Sequence, residues 1–159
     1  MGIVCFVAIF VEVTHTAWGA DWVWGVPLIV LTVVIHTFGL GLIGHHAVYR
    51  ANRANQRHHP TVVFAVVMGT ATLLATVLHA CEAAIWAFAY RILGALHTSK
   101  ESMLYSLNAI TSYGHTSLEL EPHWHLMGAL EALNGWLLFG LTTAFLFGMI
   151  EKVQSRRRD

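Results

Sequence analysis

Three long apolar stretches are the feature that most constrains how this chain can fold. They cover about residues 26–49, 61–90 and 124–150. Each is longer than the roughly 20 residues that an α-helix needs to cross a lipid bilayer. Charged residues make up 11% of the chain, against about 25% of a typical soluble domain, so a soluble fold of this size could not cover the apolar surface. The stretches predict an all-α membrane protein with three transmembrane helices.

Charged and aromatic residues near these stretches indicate how the chain crosses the membrane. Basic side chains are concentrated in a linker, residues 50–60, and in a tail, residues 151–159. Because Lys and Arg are retained on the cytoplasmic side, both segments are predicted to be cytoplasmic. We expect residues 1–25 to form an interfacial or partly inserted segment, with a fourth span as the alternative. An aromatic belt is expected at the outer interface, made of Trp18, Trp22, Trp24, Trp86, Tyr90 and Trp124.

A shorter segment lies between the second and third predicted spans. Residues 102–111 are moderately apolar but too short to cross a bilayer, and they lead into a run with glycine and serine, residues 112–117. Irregular backbone is tolerated at membrane depth only where it is buried in protein or lines a water-filled cavity. The pattern predicts a re-entrant helix and loop, the layout of a pore module. One chain cannot enclose a pore, so the prediction includes rotational symmetry.

Four short motifs carry a resemblance to a known family. They are the runs ACEAAIWA at 80–87, YSL at 105–107, LMGALEALNG at 126–135 and FGLTTAF at 139–145. Over about residues 26–150, the chain resembles small bacterial members of the two-transmembrane potassium-channel pore family that carry one extra helix. The resemblance implies an outer helix (61–90), a pore helix with a selectivity filter (102–117) and an inner helix (124–150). It also implies a homotetramer in the bacterial inner membrane, with permeant cations as ligands.

The family's filter motif, Thr-Thr-x-Gly-Tyr-Gly-Asp, can be placed on this chain in two ways. Counting without gaps from Ser106 places it on Thr111, Ser112, Tyr113, Gly114, His115, Thr116 and Ser117. This alignment puts Thr116 at a left-handed position, where a β-branched side chain is disfavoured. A second alignment sets Gly-Tyr-Gly-Asp on residues 112–115 and keeps the tyrosine. Both alignments lose part of the motif, so the resemblance implies a cation channel that is not strictly potassium-selective.

Ionisable residues at and after the filter suggest what replaces the missing motif. In a tetramer, four His115 side chains would ring the entrance, where imidazoles that titrate near neutral pH form a proton-sensitive gate or a transition-metal site. Glu119 and Glu121 would add carboxylate rings at the outer mouth, which concentrate cations. The alternative is that all three are solvated loop residues of a pore that no longer conducts.

Polar residues inside the predicted spans are candidates because ionisable side chains are costly in a bilayer. Four of them, His79, Glu82, Glu131 and Asn134, lie in the second and third spans. One interpretation is a hydrogen-bonded scaffold behind the pore helix. The other is a metal site of His79, Glu82 and Glu131. His36, in the first span, is interpreted as a histidine satisfied by a neighbouring helix, with ligation as the alternative.

Small and hydroxyl residues of the third span bear on its role as an inner helix. Gly135 and Gly140 either allow close helix packing or act as gating hinges. Thr142 and Thr143 are expected to line an inner cavity if that helix faces the pore.

Other classes of function are less favoured by the sequence. It contains no recognisable hydrolytic, nucleophilic or phosphate-binding pattern, so an enzyme is not predicted, and its zero formal net charge argues against nucleic acid as a partner. The expected partners are lipid and further copies of the chain. The alternatives to a conducting channel are a structural or regulatory channel-fold protein and a membrane protein that binds haem or metal through histidines. Paired haem ligands need equal depth, and counting along the predicted spans puts His36 and His79 about 10 Å apart in depth.

Overall fold

The computed structural model describes residues 19–54, 59–114 and 118–155, and these residues are almost entirely helical. The helices are α1 (Gly19–Ala54), α2 (Pro60–Ile92), α3 (Ser99–Ile110) and α4 (His125–Ser155), with a short 3-10 turn, Pro122–Trp124, before α4. The described part of the chain contains no β-strand. Residues 1–18 of the predicted N-terminal segment, residues 55–58 of the linker and the tail from residue 156 lie outside the described residues.

Three of the helices are long and apolar enough to cross a membrane. The qualifying segments are Gly19–Ala47, Thr61–Ile92 and Pro122–Lys152. The prediction of three candidate transmembrane helices in an all-α chain is therefore confirmed, and it is consistent with an integral membrane protein.

The first helix is longer at both ends than its predicted span. It begins at Gly19, so Pro27 lies inside it and not in its first turn. Asp21 explains the earlier start, because a carboxylate is favourable near a helix N-terminus and its Oδ1 accepts a hydrogen bond from the backbone N–H of Met127 at 3.0 Å. At the other end, α1 continues to Ala54 into the predicted linker, where Arg and Ala favour helix.

The chain divides into two compact units, and the boundaries fall inside α1, α2 and α4. Unit 1 comprises residues 1–32 and 83–136, and unit 2 comprises residues 33–82 and 137–159. In unit 1, Trp86, Tyr90 and Trp124 belong to one apolar core with residues of α3 and α4. Their placement in an interfacial belt is therefore wrong for these three, because α3 folds back and supplies them with apolar partners. Trp22 and Trp24 are exposed, at 46% and 47%.

Unit 2 is built from antiparallel stretches of α1 and α2, packed with part of α4. Gly39 of α1 lies against the side chain of Leu78, and Gly44 lies against Phe145. A small core contains Val63, Val67 and Met149. The outward faces carry large apolar side chains such as Phe38, Leu73 and Phe147, which lipid tails accept without a desolvation cost.

Candidate functional site

The short helix of unit 1 begins at a well-formed cap. Thr98 accepts a hydrogen bond from the backbone N–H of Glu101, and the Glu101 carboxylate accepts one from the backbone N–H of Thr98, both at 3.1 Å. This reciprocal capping box satisfies two backbone donors that a helix start otherwise leaves unpaired. It sets the start of α3 at Ser99, slightly before the predicted residue 102.

The predicted filter begins with a tight turn at the C-terminus of α3. The N–H of Ser112 donates to the carbonyl of Ala109, and the N–H of Tyr113 donates to the carbonyl of Asn108, both at 2.9 Å. This pair of bonds is the Schellman arrangement, which places one residue in the left-handed region and favours glycine there. Ser112 occupies that position with φ 54°, and Gly114 follows with φ 92°.

The residues after α3 lie on the surface of the single chain. Residues 111–114 are all exposed, and Tyr113 is 84% exposed. The remaining predicted filter residues, His115, Thr116 and Ser117, lie outside the described residues. Further along, Glu119 and Glu121 are exposed, and their assignment to an outer mouth stays a prediction.

A buried carboxylate of α4 joins α2 and α3. Glu131 is fully buried and accepts a hydrogen bond from the hydroxyl of Tyr90 at 2.6 Å. The hydroxyl of Ser106 in α3 is also hydrogen-bonded to this carboxylate, and it lies 2.7 Å from the carbonyl oxygen of Ala83. The network ties the middle of α3 to both neighbouring helices. A scaffold role behind a pore helix stays a prediction.

Two glycines of α4 provide flat surfaces against which α3 packs. A Cβ at Gly128 would overlap the hydroxyl of Tyr105, and a Cβ at Gly135 would overlap the backbone carbonyl of Ile110. The close contact favours packing over hinging as the role of Gly135.

Asn134 has a partner that the sequence did not indicate. Its Nδ2 donates to Oγ1 of Thr32 at 2.9 Å, and both side chains are fully buried. Thr32 also lies 2.8 Å from the carbonyl oxygen of Leu28. Asn134 therefore joins α4 to α1 within unit 1.

A second polar cluster lies in unit 2 and contains His36, His79, Glu82 and Thr142. Nδ1 of His36 is 2.8 Å from Oε1 of Glu82, and Nδ1 of His79 is 3.5 Å from Oε2. On the opposite side of the rings, the two Nε2 atoms lie 2.9 and 3.0 Å from Oγ1 of Thr142. Each ring thus bridges the same carboxylate and the same hydroxyl.

The position of His36 corrects the depth assigned from the sequence. The ring centroids of His36 and His79 are 4.9 Å apart, so the expected separation of about 10 Å in depth is wrong. Counting residues from the predicted span ends fails because the contacts between two helices decide how far one is shifted along the other. The contact of Gly39 with Leu78 is one of these. His36 lies beside His79 and Glu82, at the position where Glu131 was predicted.

The proximity of the two rings bears on the prediction that the histidines could serve as axial ligands of a haem. A porphyrin between two axial imidazoles needs a planar slot. Here the His36 ring is fully buried, and hydrogen bonds engage both of its nitrogens. The ligand atoms of His36, His79 and Glu82 lie close enough together that they could hold a metal ion.

The remaining candidates of α4 differ in their surroundings. None of the described atoms lies within 4 Å of a Cβ built at Gly140, so its hinge role stays a prediction. Thr143 is exposed and donates to the carbonyl of Phe139 at 2.8 Å. Thr142, predicted to line a cavity, instead contacts both histidines.

Comparisons with known proteins return no significant match to this chain, whether among protein-family models, curated proteins or solved structures.

Proposed function

We propose that the protein is the subunit of a tetrameric cation channel, with α3 as the pore helix and the turn after it as the beginning of the filter. One observation carries the proposal: irregular, exposed backbone follows a short helix that packs against the middle of a candidate membrane span. Residues 111–114 come directly after Ile110, whose carbonyl packs on Gly135. Gly135 lies about 20 Å along the third span from Pro122, at 1.5 Å per residue.

Such backbone needs protein or water around it, and the described residues of a single chain leave residues 111–114 uncovered. Further copies of the chain around a symmetry axis would supply both, with the exposed turns facing a shared aqueous pathway. With 12 residues, α3 is only about 18 Å long, so it cannot cross the bilayer and must enter and leave on one side. Its C-terminus carries a partial negative charge, which favours a cation in the pathway.

The backbone at the end of α3 favours the second filter alignment. The positive φ values at Ser112 and Gly114 fall on the two glycine positions of that alignment, with Tyr113 between them. In this alignment His115 takes the aspartate position. The chain then keeps the tyrosine but replaces a glycine and an acid, which supports a cation pathway without strict potassium selectivity.

The surroundings of α3 fit a pathway that must keep its shape. Glu131 and the capping box hold α3 in the middle and at its start. The exposed carboxylates of Glu119 and Glu121 lie shortly after the filter in sequence and would concentrate cations at the outer mouth. The basic residues of the linker and tail would set these segments, including the C-terminus, on the cytoplasmic side, in a bacterial inner membrane.

Ion flux through purified protein in liposomes tests the proposal. Potassium, sodium and calcium gradients are compared at pH 5.5 and 7.5, with Gly114→Ala as the filter variant. We expect flux of more than one cation and its loss or altered selectivity in Gly114→Ala, because φ 92° disfavours a side chain. Folded, oligomeric protein that passes no cation under any condition would overturn the proposal in favour of a non-conducting role.

A further inference from the structure

We propose that His36, His79 and Glu82 form a binding site for a divalent transition metal of the zinc class. The three side chains belong to unit 2, and one ligand atom from each lies within 4.8 Å of the others. Two imidazoles and one carboxylate are a ligand set that zinc uses while keeping a fourth position open. The site does not depend on ion conduction, because it uses none of the proposed filter residues.

The hydroxyl of Thr142 fixes which ring nitrogens face the metal. It lies 2.9 Å from Nε2 of His36 and 3.0 Å from Nε2 of His79. When both Nε2–H groups donate to this oxygen, both Nδ1 atoms face the carboxylate of Glu82. Metal-binding histidines commonly donate their other N–H to such an acceptor, which holds the tautomer and the ring orientation.

The second carboxylate oxygen of Glu82 is a candidate ligand atom for a cation. Glu82 is fully buried, and its Oε2 has no hydrogen-bond partner among the described residues. An unpaired carboxylate oxygen is costly within a bilayer. The 3.5 Å between this oxygen and Nδ1 of His79 is long for a hydrogen bond. It matches the separation of about 3.4 Å between two ligands held about 2.1 Å from a tetrahedral zinc ion.

Metal binding releases one proton from the site. The proton shared by Nδ1 of His36 and Oε1 of Glu82 leaves when the metal binds, and both imidazoles then ligate in their neutral form. The side chain of His79 is 31% exposed, whereas those of His36 and Glu82 are fully buried. The opening at His79 gives the ion its way in and leaves room for a water as the fourth ligand.

Metal binding to the full chain in detergent tests this proposal. The protein is purified through a tag without histidines and stripped with a chelator. Zinc affinity and stoichiometry are then measured by competition with a chromophoric chelator, and Co²⁺ is added as a spectroscopic probe. The ligand variants are His79→Ala and Glu82→Gln. Thr142→Val tests the positioning hydroxyl, and the matched control is His45→Ala, which removes an exposed histidine of the same helix as His36.

We expect one zinc per chain and the visible absorption of four-coordinate cobalt. The affinity should fall at least tenfold in both ligand variants, fall about tenfold or more in Thr142→Val, and stay unchanged in His45→Ala. Wild-type protein that melts cooperatively but binds neither metal at micromolar concentration would overturn the proposal. Zinc binding that is equal in wild type and in folded Glu82→Gln would overturn it as well, because Gln keeps the size of Glu but loses the charge.

Discussion

The backbone carbonyl of Ile110 lies so close to Gly135 that a single methyl group at that position would overlap it. The contact joins the last residue of α3 to the face of α4, within unit 1. It fixes where the helix ends, and therefore where the exposed turn at residues 111–114 begins.

Replacing Gly135 with alanine should therefore destabilise the protein. Overpacking against a rigid backbone atom costs about 1–3 kcal/mol, because a carbonyl cannot rotate away as the end of a side chain can. The measurement is the free energy of unfolding in detergent micelles. Gly140→Ala is the matched control, since none of the described atoms lies within 4 Å of its Cβ position. Equal stability of the two variants would contradict the tight contact.

Removal of the Glu131 carboxyl group should also lower stability. In Glu131→Leu the hydroxyl of Tyr90 loses the oxygen that accepts its hydrogen bond, whereas the hydroxyl of Ser106 keeps the carbonyl oxygen of Ala83. A buried hydroxyl without an acceptor costs about 1–3 kcal/mol. Glu119→Leu makes the same change at an exposed position and should stay within about 0.5 kcal/mol of wild type. Thermal melting of the two variants side by side would reveal the difference, and matching curves would count against the network.

The hydrogen bond between Thr32 and Asn134 predicts a measurable coupling between the two residues. In a double-mutant cycle of Thr32→Val and Asn134→Leu, we expect an interaction free energy of about 0.5–1.5 kcal/mol. The reason is that Thr32→Val leaves the buried amide of Asn134 without its described partner, a cost that disappears once Asn134 is replaced as well. Unfolding free energies of the four proteins give the coupling. Strict additivity would mean that the two side chains do not interact in the folded protein.

The turn after α3 predicts a stabilising substitution. Ser112 has φ 54°, which costs about 1–2 kcal/mol for a residue with a side chain and little for glycine. Ser112→Gly should raise the melting temperature, whereas Ser112→Ala should not, because alanine keeps the Cβ that causes the strain. A lower melting temperature in Ser112→Gly would indicate that the serine is not held in the left-handed region.

The sequence predicted the coarse architecture well because apolar length alone decides it. Three stretches that exceed the bilayer requirement became α1, α2 and α4, and a short stretch between two of them became α3. Helix ends were less accurate. The Asp21 contact with Met127, which extends α1, joins residues far apart in the sequence.

Side-chain partners could be predicted within one helix, where residue spacing reveals them, but not between different helices. The i,i+3 spacing placed His79 and Glu82 on one face, and the structure brings both together. The third member, His36, depends on the level at which α1 packs against α2, and no sequence spacing encodes that level. For the same reason, Thr32 was missed as the partner of Asn134, and Tyr90 was missed as the partner of Glu131. Trp86 was assigned to an interfacial belt because its apolar core forms only when α3 packs against α2.

Chemical modification of a cysteine at position 113 tests most directly whether the turn after α3 lines the ion pathway. Tyr113→Cys is prepared with Cys5 and Cys81 replaced by serine, and liposome flux is measured before and after a positively charged methanethiosulfonate reagent. Phe88→Cys, also exposed in the single chain at 67%, provides the control on the outer face of α2. We expect modification at position 113 to block cation flux and modification at position 88 to leave it unchanged. Unchanged flux after complete labelling of position 113, verified by mass spectrometry, would contradict it.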